Sequence, residues 1–364
     1  MGQRGQCREP EHRVYTVFYL NPGATPEVCA IIAAHLPAGW RLLVANSAAS
    51  GARTDRCCDF ASELAACDFI LVADHPVTAA HIAAAPRLKM IQHQGVGYER
   101  IDLEACRLRG IPVALTPEGT SIGVAEHTIL LILALYKQLV AAATGVRAGR
   151  WPQWELRDRS FELCGKTLGL VGLGRIGREV ARRARAFDAR VVYFDSEPVA
   201  EPDNDVTAMA SLPALLAAAD IVSLHVPLHA RSRHLIDGEA LRHMKPGAIL
   251  INTSRGGLVD EAALVDALRS QRLAGAALDV LEREPPAPDN PLLYMEQVLI
   301  TPHIAAGTRD ALGTKMRAAF ANLLRFTRAE PLRHVVADAS AAPTATSGRG
   351  PASAPAPPAA PSAS

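Results

Sequence analysis

Three side chains with complementary chemistry stand just past three separate apolar runs of the chain. Arg255 lies in Thr253-Ser-Arg-Gly-Gly257, after a run at 249–252. Glu284 lies in Asp279-Val-Leu-Glu-Arg-Glu284-Pro, after a run at 276–280, and His303 follows a run at 298–301 in Pro302-His303-Ile. A fourth polar stretch, His225-Val-Pro227, follows the run that starts at Ile221. Arginine can hold a carboxylate through two parallel N–H donors and polarise an adjacent carbonyl, which lysine does less directionally. Histidine titrates near neutrality and a neighbouring carboxylate raises its pKa, so a His303–Glu284 pair stays a competent acid at neutral pH. A cation for a charged substrate and a proton for a carbonyl oxygen are what hydride reduction of a 2-oxo acid needs. Taken singly, Arg255 reads as a surface ion pair, Glu284 as a solvated loop residue and His303 as a core histidine. Their joint placement at successive strand exits is what argues for chemistry.

A source of hydride is written into Lys166-Thr-Leu-Gly-Leu-Val-Gly-Leu-Gly-Arg-Ile-Gly-Arg-Glu179. An apolar run ends at Val171, glycines follow at 172, 174 and 177, and Arg175 and Ile176 lead into a helix-like segment. Gly172 permits a sharp turn, Gly174 a close approach to a pyrophosphate and Gly177 tight packing of helix on strand, while the helix N-terminus offers unpaired N–H groups to phosphates. A second apolar run closes on Asp195, 23 positions after Gly172. That is near the spacing of roughly 20 at which a carboxylate reaches an adenosine ribose, where a 2′-phosphate would be repelled. The stretch predicts NAD as cofactor in preference to NADP.

The elements that must position these groups are short. Over 13–117, strands are expected at 14–20, 42–45, 69–73, 90–93 and 113–115, with helices at 26–35, 78–84 and 102–108. From 166, strands are expected at 167–171, 191–194, 221–225, 249–252, 276–280 and 298–301, with helices near 175–187, 211–218, 238–244 and 260–271. Strands alternating with helices imply parallel sheets covered on both faces, and ligands then bind outside the carboxyl ends of the strands. Between the units, Pro117 and Gly119 break the chain, Thr120 or Ser121 can cap a helix, and the helix that follows is apolar nearly all round, fit to be buried against another domain or subunit. A helix over 308–328 closes the fold. The tail at 337–364 is mostly Ala, Pro, Ser and Gly, and is expected to bury too little apolar surface to order itself.

Composition narrows the function. The 364 residues are 49% hydrophobic with a net charge of +1, enough for about two domains and without the basic run of a nucleic-acid or membrane-surface partner. Cysteines at 7, 29, 57, 58, 67, 106 and 164 form no CxxC pair and no cluster with histidine, so no metal site is expected and the thiols read as reduced and cytoplasmic. The N-terminus has no apolar signal-peptide core, and the longest strongly apolar run is too short to span a bilayer.

From about 13 to 330 the sequence resembles the D-isomer-specific 2-hydroxyacid dehydrogenases. The resemblance rests on Gly95-Val-Gly-Tyr-Glu-Arg-Ile-Asp102, Val124-Ala-Glu-His127, Val171-Gly-Leu-Gly-Arg-Ile-Gly177, His225-Val-Pro-Leu228, Met244-Lys-Pro-Gly247, Asn252-Thr-Ser-Arg-Gly256, Ala277-Leu-Asp-Val280 and Thr301-Pro-His-Ile304. It implies Arg255 as the substrate-binding cation, Glu284 and His303 as acid/base dyad, and backbone N–H groups around Val96 and Gly97 as the substrate-carboxylate site. It places Gly172, Gly174, Arg175, Ile176, Gly177, Asp195, His225, Pro227, Thr253 and Asp279 at the NAD. It also implies the architecture: two doubly wound parallel-sheet α/β domains, with a Rossmann NAD-binding domain (119–300) inserted into a discontinuous flavodoxin-like substrate domain (13–118 and 301–334), in a homodimer joined through the NAD domains. The chain departs from the family pattern at Asp188, where a glycine is usual after the first helix, at Tyr98-Glu99-Arg100 in place of Asp-Asn, and at Thr120, where many members have asparagine. Asp74 in the Ala73-Asp74-His75 segment disfavours a phosphorylated substrate, because phosphoglycerate-type members tend to carry arginines there.

The expectation is a cytoplasmic NAD-dependent oxidoreductase interconverting a small D-2-hydroxy acid and its 2-oxo acid. The alternative from another class is an NAD-sensing, co-repressor-like interaction protein, whose docking the tail, with few charges or aromatics, serves poorly. A methyltransferase using the glycine turn would leave Arg255, Glu284 and His303 without a task.

Overall fold

The computed structural model describes residues 14–45, 60–199 and 205–336. Cys7, Cys57, Cys58 and the tail at 337–364 lie outside the described residues.

Five parallel strands, Thr16–Leu20 (β1), Arg41–Val44 (β2), Phe69–Val72 (β3), Met90–His93 (β4) and Val113–Ala114 (β5), form one sheet in the order β2-β1-β3-β4-β5. This is the flavodoxin-like strand order. Side chains alternate between its faces: Phe18, Leu20, Ile70, Val72 and Ile91 enter one apolar cluster, and Val17, Tyr19, Phe69, Leu71 and Met90 the other. Both faces are covered, so β1, β3 and β4 are buried throughout, and β1 and β3 read as nearly continuous apolar runs rather than alternating ones. Helices Pro26–Ala34 (α1), Ala61–Ala66 (α2), Ala79–Ala84 (α3) and Leu103–Leu108 (α4) connect the strands. Thr25, Thr78 and Asp102 cap α1, α3 and α4, each accepting from a backbone N–H three residues on.

After β5 the chain runs through Ser121–Tyr136 (α5) and Leu139–Arg147 (α6) into a second sheet. Its strands are Thr167–Val171 (β6), Arg190–Phe194 (β7), Thr207–Ala208 (β8), Ile221–Leu224 (β9), Ala248–Asn252 (β10), Leu273–Leu278 (β11) and Val298–Ile300 (β12), in the order β12-β11-β10-β9-β6-β7-β8. Strands β6 to β11, lying in the order β8-β7-β6-β9-β10-β11, reproduce the doubly wound dinucleotide-binding order, with its switch point between β6 and β9. Helices Arg175–Arg185 (α7), Leu212–Ala218 (α8), Gly238–His243 (α9) and Glu261–Arg269 (α10) fill the crossovers. Helix Arg309–Thr327 (α11) then returns to the first sheet, where Met316, Ala319, Phe320 and Leu323 pack under Phe69 and Met90. Val335 bridges Ala114, and Val336 N–H donates to the Val113 carbonyl at 2.9 Å.

Some expectations change. Strand β11 starts at Leu273 and ends at Leu278, displaced from 276–280: pairing with β10 recruits Leu273-Ala-Gly-Ala, which has little intrinsic strand preference. Neither Thr120 nor Ser121 caps α5 with its side chain. Thr120 already has helical dihedrals, so its hydroxyl cannot reach the first-turn N–H groups, and its Oγ is buried without a partner. Asp188 takes the left-handed conformation (φ 57°) that a glycine would supply after α7. Helix α5 buries Ala125, Ile129, Ile132 and Tyr136 against Leu168, Leu170, Val180 and Ala184, yet leaves Ile122 and Leu130 more than half exposed. No single helix among the described residues is long and apolar enough to cross a membrane.

Candidate active site

The glycine turn is assembled from local sequence. Gly172 has φ +97°, and any Cβ there would lie 2.8 Å from the His225 carbonyl oxygen, so only glycine fits. A side chain at Gly177 would overlap the Gly172 carbonyl, which is how α7 lies so close to β6. Gly174, at the start of α7, faces open space within 4 Å, and no side chain caps the first-turn N–H groups. That opening, with positive N–H groups aimed into it, fits the pyrophosphate of a dinucleotide. Asp195, just past β7, accepts from Leu173 N–H at 2.9 Å and from Glu197 N–H at 3.2 Å, which sets a carboxylate beside the turn. His225 Nε2 meets the Ser223 hydroxyl at 2.9 Å, and burial pushes its pKa down to about 4, so its ring is neutral at working pH.

The Arg255 turn is built by its own neighbours. Asn252 donates from Nδ2 to the Arg255 carbonyl (2.9 Å) and accepts from Ser254 N–H (3.1 Å); the Ser254 hydroxyl donates to the Val226 carbonyl at 2.6 Å. Thr253, buried, shares a hydrogen bond with Thr128 of α5 at 3.0 Å. A side chain at Gly256 would overlap the backbone of Leu281 and Glu282, so this glycine lets the Arg255 turn abut the Glu284 loop.

His303 Nδ1 and Glu284 Oε2 are 2.8 Å apart, and the other Glu284 oxygen accepts from Leu281 N–H at 3.0 Å. The hydrogen bond and charge of Glu284 hold the His303 pKa above its ordinary value, against burial and the nearby Arg255 charge. Burial pushes Glu284 upward, but the His303 interactions and the Leu281 N–H outweigh it and leave its pKa lowered. The pair is therefore biased to imidazolium and carboxylate. His303 has φ 53°, and its loop is clamped by Asp279, whose carboxylate accepts from the Thr301 hydroxyl (2.6 Å), Ile304 N–H (2.9 Å) and Ala305 N–H (2.9 Å). His127 of α5 reaches the same hydroxyl at 3.0 Å. Asp279 is 1% exposed, its oxygens engaged by the chain's own donors.

The first sheet contributes the loop after β4. His93 Nδ1 accepts from Gly95 N–H at 2.9 Å, and burial keeps its pKa below the ordinary value, so the ring stays neutral and its lone pair available. A side chain at Gly97 would overlap Arg255 Nη2, so the loop at 95–97 and Arg255 are in direct contact across the two sheets. Glu99 Oε1 accepts from Arg255 Nε at 2.9 Å. Arg100 Nη1 donates to the Asp74 carbonyl at 2.8 Å. A cation from the loop after β4 thus reaches the backbone of the Ala73-Asp74-His75 segment.

Arg255, Glu284, His303 and the loop at Val96 and Gly97 come together at one mouth; at the neighbouring switch point Gly172 and Gly177 pack against His225, Asp195 meets Leu173 N–H, Gly174, Arg175 and Ile176 open α7, and Pro227 follows two residues after His225. Thr253 and Asp279 sit behind them as braces. The sequence reading missed Glu99 on Arg255, Asn252 shaping the turn, and His127 tying α5 to Thr301. A polar residue interrupting a buried strand, as Asn252 does, was the available signal. Among the described residues, no three His, Cys, Asp or Glu side chains converge as metal ligands.

Comparison with known proteins identifies the family. Residues 129–305 match the profile of the D-isomer specific 2-hydroxyacid dehydrogenase NAD binding domain. The chain is 40% identical over 258 residues to a glyoxylate reductase of Korarchaeum cryptofilum, covering 70% of this chain and 78% of that one. It is 40% identical over 261 residues to a D-3-phosphoglycerate dehydrogenase of Archaeoglobus fulgidus, covering 71% of this chain but only 49% of that one, so it spans about half the length of that relative. The crystal structure of the TT0316 protein from Thermus thermophilus superposes with a TM-score of 0.77 at 35% identity, over 88% of this chain and 99% of that one. With a dinucleotide-binding sheet and a matching profile over it, this chain is a member of the D-isomer specific 2-hydroxyacid dehydrogenase family.

Proposed function

We propose that the protein interconverts a small D-2-hydroxy acid and its 2-oxo acid with NAD. The observation that carries this reading is the 2.8 Å His303–Glu284 pair at one mouth with Arg255. NAD(H), when bound, supplies or accepts the hydride. In the reductive direction the substrate carboxylate is received by the N–H groups near Val96 and Gly97 and by Arg255, which also polarises the oxo group. His303, kept protonated by Glu284, gives its proton to the carbonyl oxygen; in the reverse direction the neutral ring takes it back. Gly172, Gly174, Arg175, Ile176, Gly177, His225 and Pro227 form the cofactor site, braced from behind by Thr253 and Asp279, and Asp195 holds the ribose and disfavours NADP.

In this reading residues 13–118 and 301–334 form the substrate domain and 119–300 the NAD domain, with closure of the cleft excluding water. A homodimer is supported by the apolar surface of α5 and α6 and the segment after them, where Ile122, Leu139, Val140, Trp151 and Trp154 are exposed. A cytoplasmic location fits the free thiols of Cys29, Cys67, Cys106 and Cys164. The test is NADH oxidation against glyoxylate, pyruvate, hydroxypyruvate, 2-oxoglutarate, phenylpyruvate and 3-phosphohydroxypyruvate. Turnover with one of them is the expected result; none, from protein that binds NADH, would sink the reading.

A further inference from the structure

Arg255 is not a free fork. Its Nη1 donates to the Ser254 carbonyl at 2.7 Å, its Nη2 rests on Gly97, and its Nε donates to Glu99 Oε1 at 2.9 Å. Glu99 Oε2 lies only 2.9 Å from the point where a Gly97 side chain would begin, the same point that Nη2 covers. A carboxylate of the chain itself therefore lies over the loop at 95–97 and on the guanidinium, where the carboxylate of a 2-oxo acid would be received. The side chains of Arg255 and Glu99 are 24% and 45% exposed, so the contact is open to solvent and can be exchanged.

We infer that Glu99 is an affinity-setting residue that occupies the substrate-carboxylate position on Arg255, so that substrate binds by exchanging one carboxylate for another. The inference rests on the reading of Arg255 as the anchor of a 2-oxo acid. The exchange has a physical use: Arg255 keeps a partner and a fixed orientation while the site is empty, and a ligand lacking an anionic group must break the ion pair without replacing it. It also has a cost, because each substrate must outcompete a tethered anion.

The two possible roles of Glu99, competitor or mere support for Arg255, predict opposite signs. Glu99→Gln keeps a carbonyl oxygen to accept from Nε but removes the competing charge. Binding of oxamate, a 2-oxo acid analogue, to the full chain saturated with NADH is measured by NADH fluorescence, and KM is measured on whichever 2-oxo acid turns over. For a partly exposed pair, oxamate should bind roughly fivefold more tightly to Glu99→Gln than to wild type, with KM falling alongside. Glu99→Ala should shift in the same direction, which guards against a folding defect peculiar to one variant. Unchanged or weaker oxamate binding in both variants would overturn the inference, as would no oxamate binding to any of the three proteins. Failure of the reading beneath it looks different: wild type that binds NADH and oxamate yet oxidises NADH with no 2-oxo acid.

Discussion

The glycine turn and the acid/base site lie side by side but are built in different ways. The turn is complete within 166–195: strand, turn, helix and second strand follow one another, and Asp195 reaches back to Leu173 N–H across one crossover. The acid/base site takes Arg255 from the end of β10, Glu284 from beyond β11, His303 from beyond β12, and its floor from the loop after β4 in the other sheet. The first region depends on backbone conformation, the second on distant loops arriving at the same place. Damage should therefore spread differently from each.

The sharpest separation is expected from Arg255→Ala. It removes the cation from the non-local site and should lower kcat/KM by about a hundredfold or more, while NADH affinity stays near normal, since the turn does not depend on it. Steady-state kinetics and an NADH titration check both halves; a parallel loss of NADH binding would erase the distinction drawn here. Gly172→Ala attacks the local region. At φ +97°, with 2.8 Å to the His225 carbonyl oxygen, it should cost about 1–3 kcal/mol of stability and weaken NADH binding, read by thermal unfolding and titration.

Glu284→Gln sharpens the non-local side through pH. Because Glu284 raises the His303 pKa, reduction by wild type should persist above the ordinary histidine range and fall as pH rises through the raised value. In the variant that fall should move to lower pH, and an unmoved profile would remove Glu284 from the proton's path. By linkage, the stabilisation His303 contributes is present below its unfolded pKa and is lost as pH rises through the folded one, while the share of Glu284, whose pKa is lowered, is lost as pH falls through its folded value. The smallest effect is expected from Asp195→Ala, which should narrow the NAD over NADP preference by roughly tenfold in the ratio of kcat/KM values while leaving the acid/base pH profile in place.

The same contrast explains what was legible. The turn could be read because its residues are neighbours in sequence and two of its glycines answer demands of the turn itself, Gly172 a positive φ and Gly177 the close approach of the Gly172 carbonyl. Strand exits could be read because apolar runs between polar breaks mark buried parallel strands, so Arg255, Glu284 and His303 were visible as residues just past strands. Their braces were not. Asp279 clamps the His303 loop through Ile304 and Ala305, and His127 meets Thr301 from a helix 174 positions away in sequence. The start of β11 was misread because its Ala and Gly residues carry no strand signal and are recruited by pairing.

By itself the sequence determined the alternation of strands and helices, the dinucleotide turn and the residue types available for proton transfer and carboxylate binding. These follow from short-range sterics and from the periodicity of burial. Only the tertiary structure decided which of those residues meet: that Gly256 lets the Arg255 turn abut the Glu284 loop, that Gly97 lies beneath Arg255, and that Glu99 reaches its Nε. Contacts between loops from different strands are set by the order and register of the sheets, and no local preference encodes them.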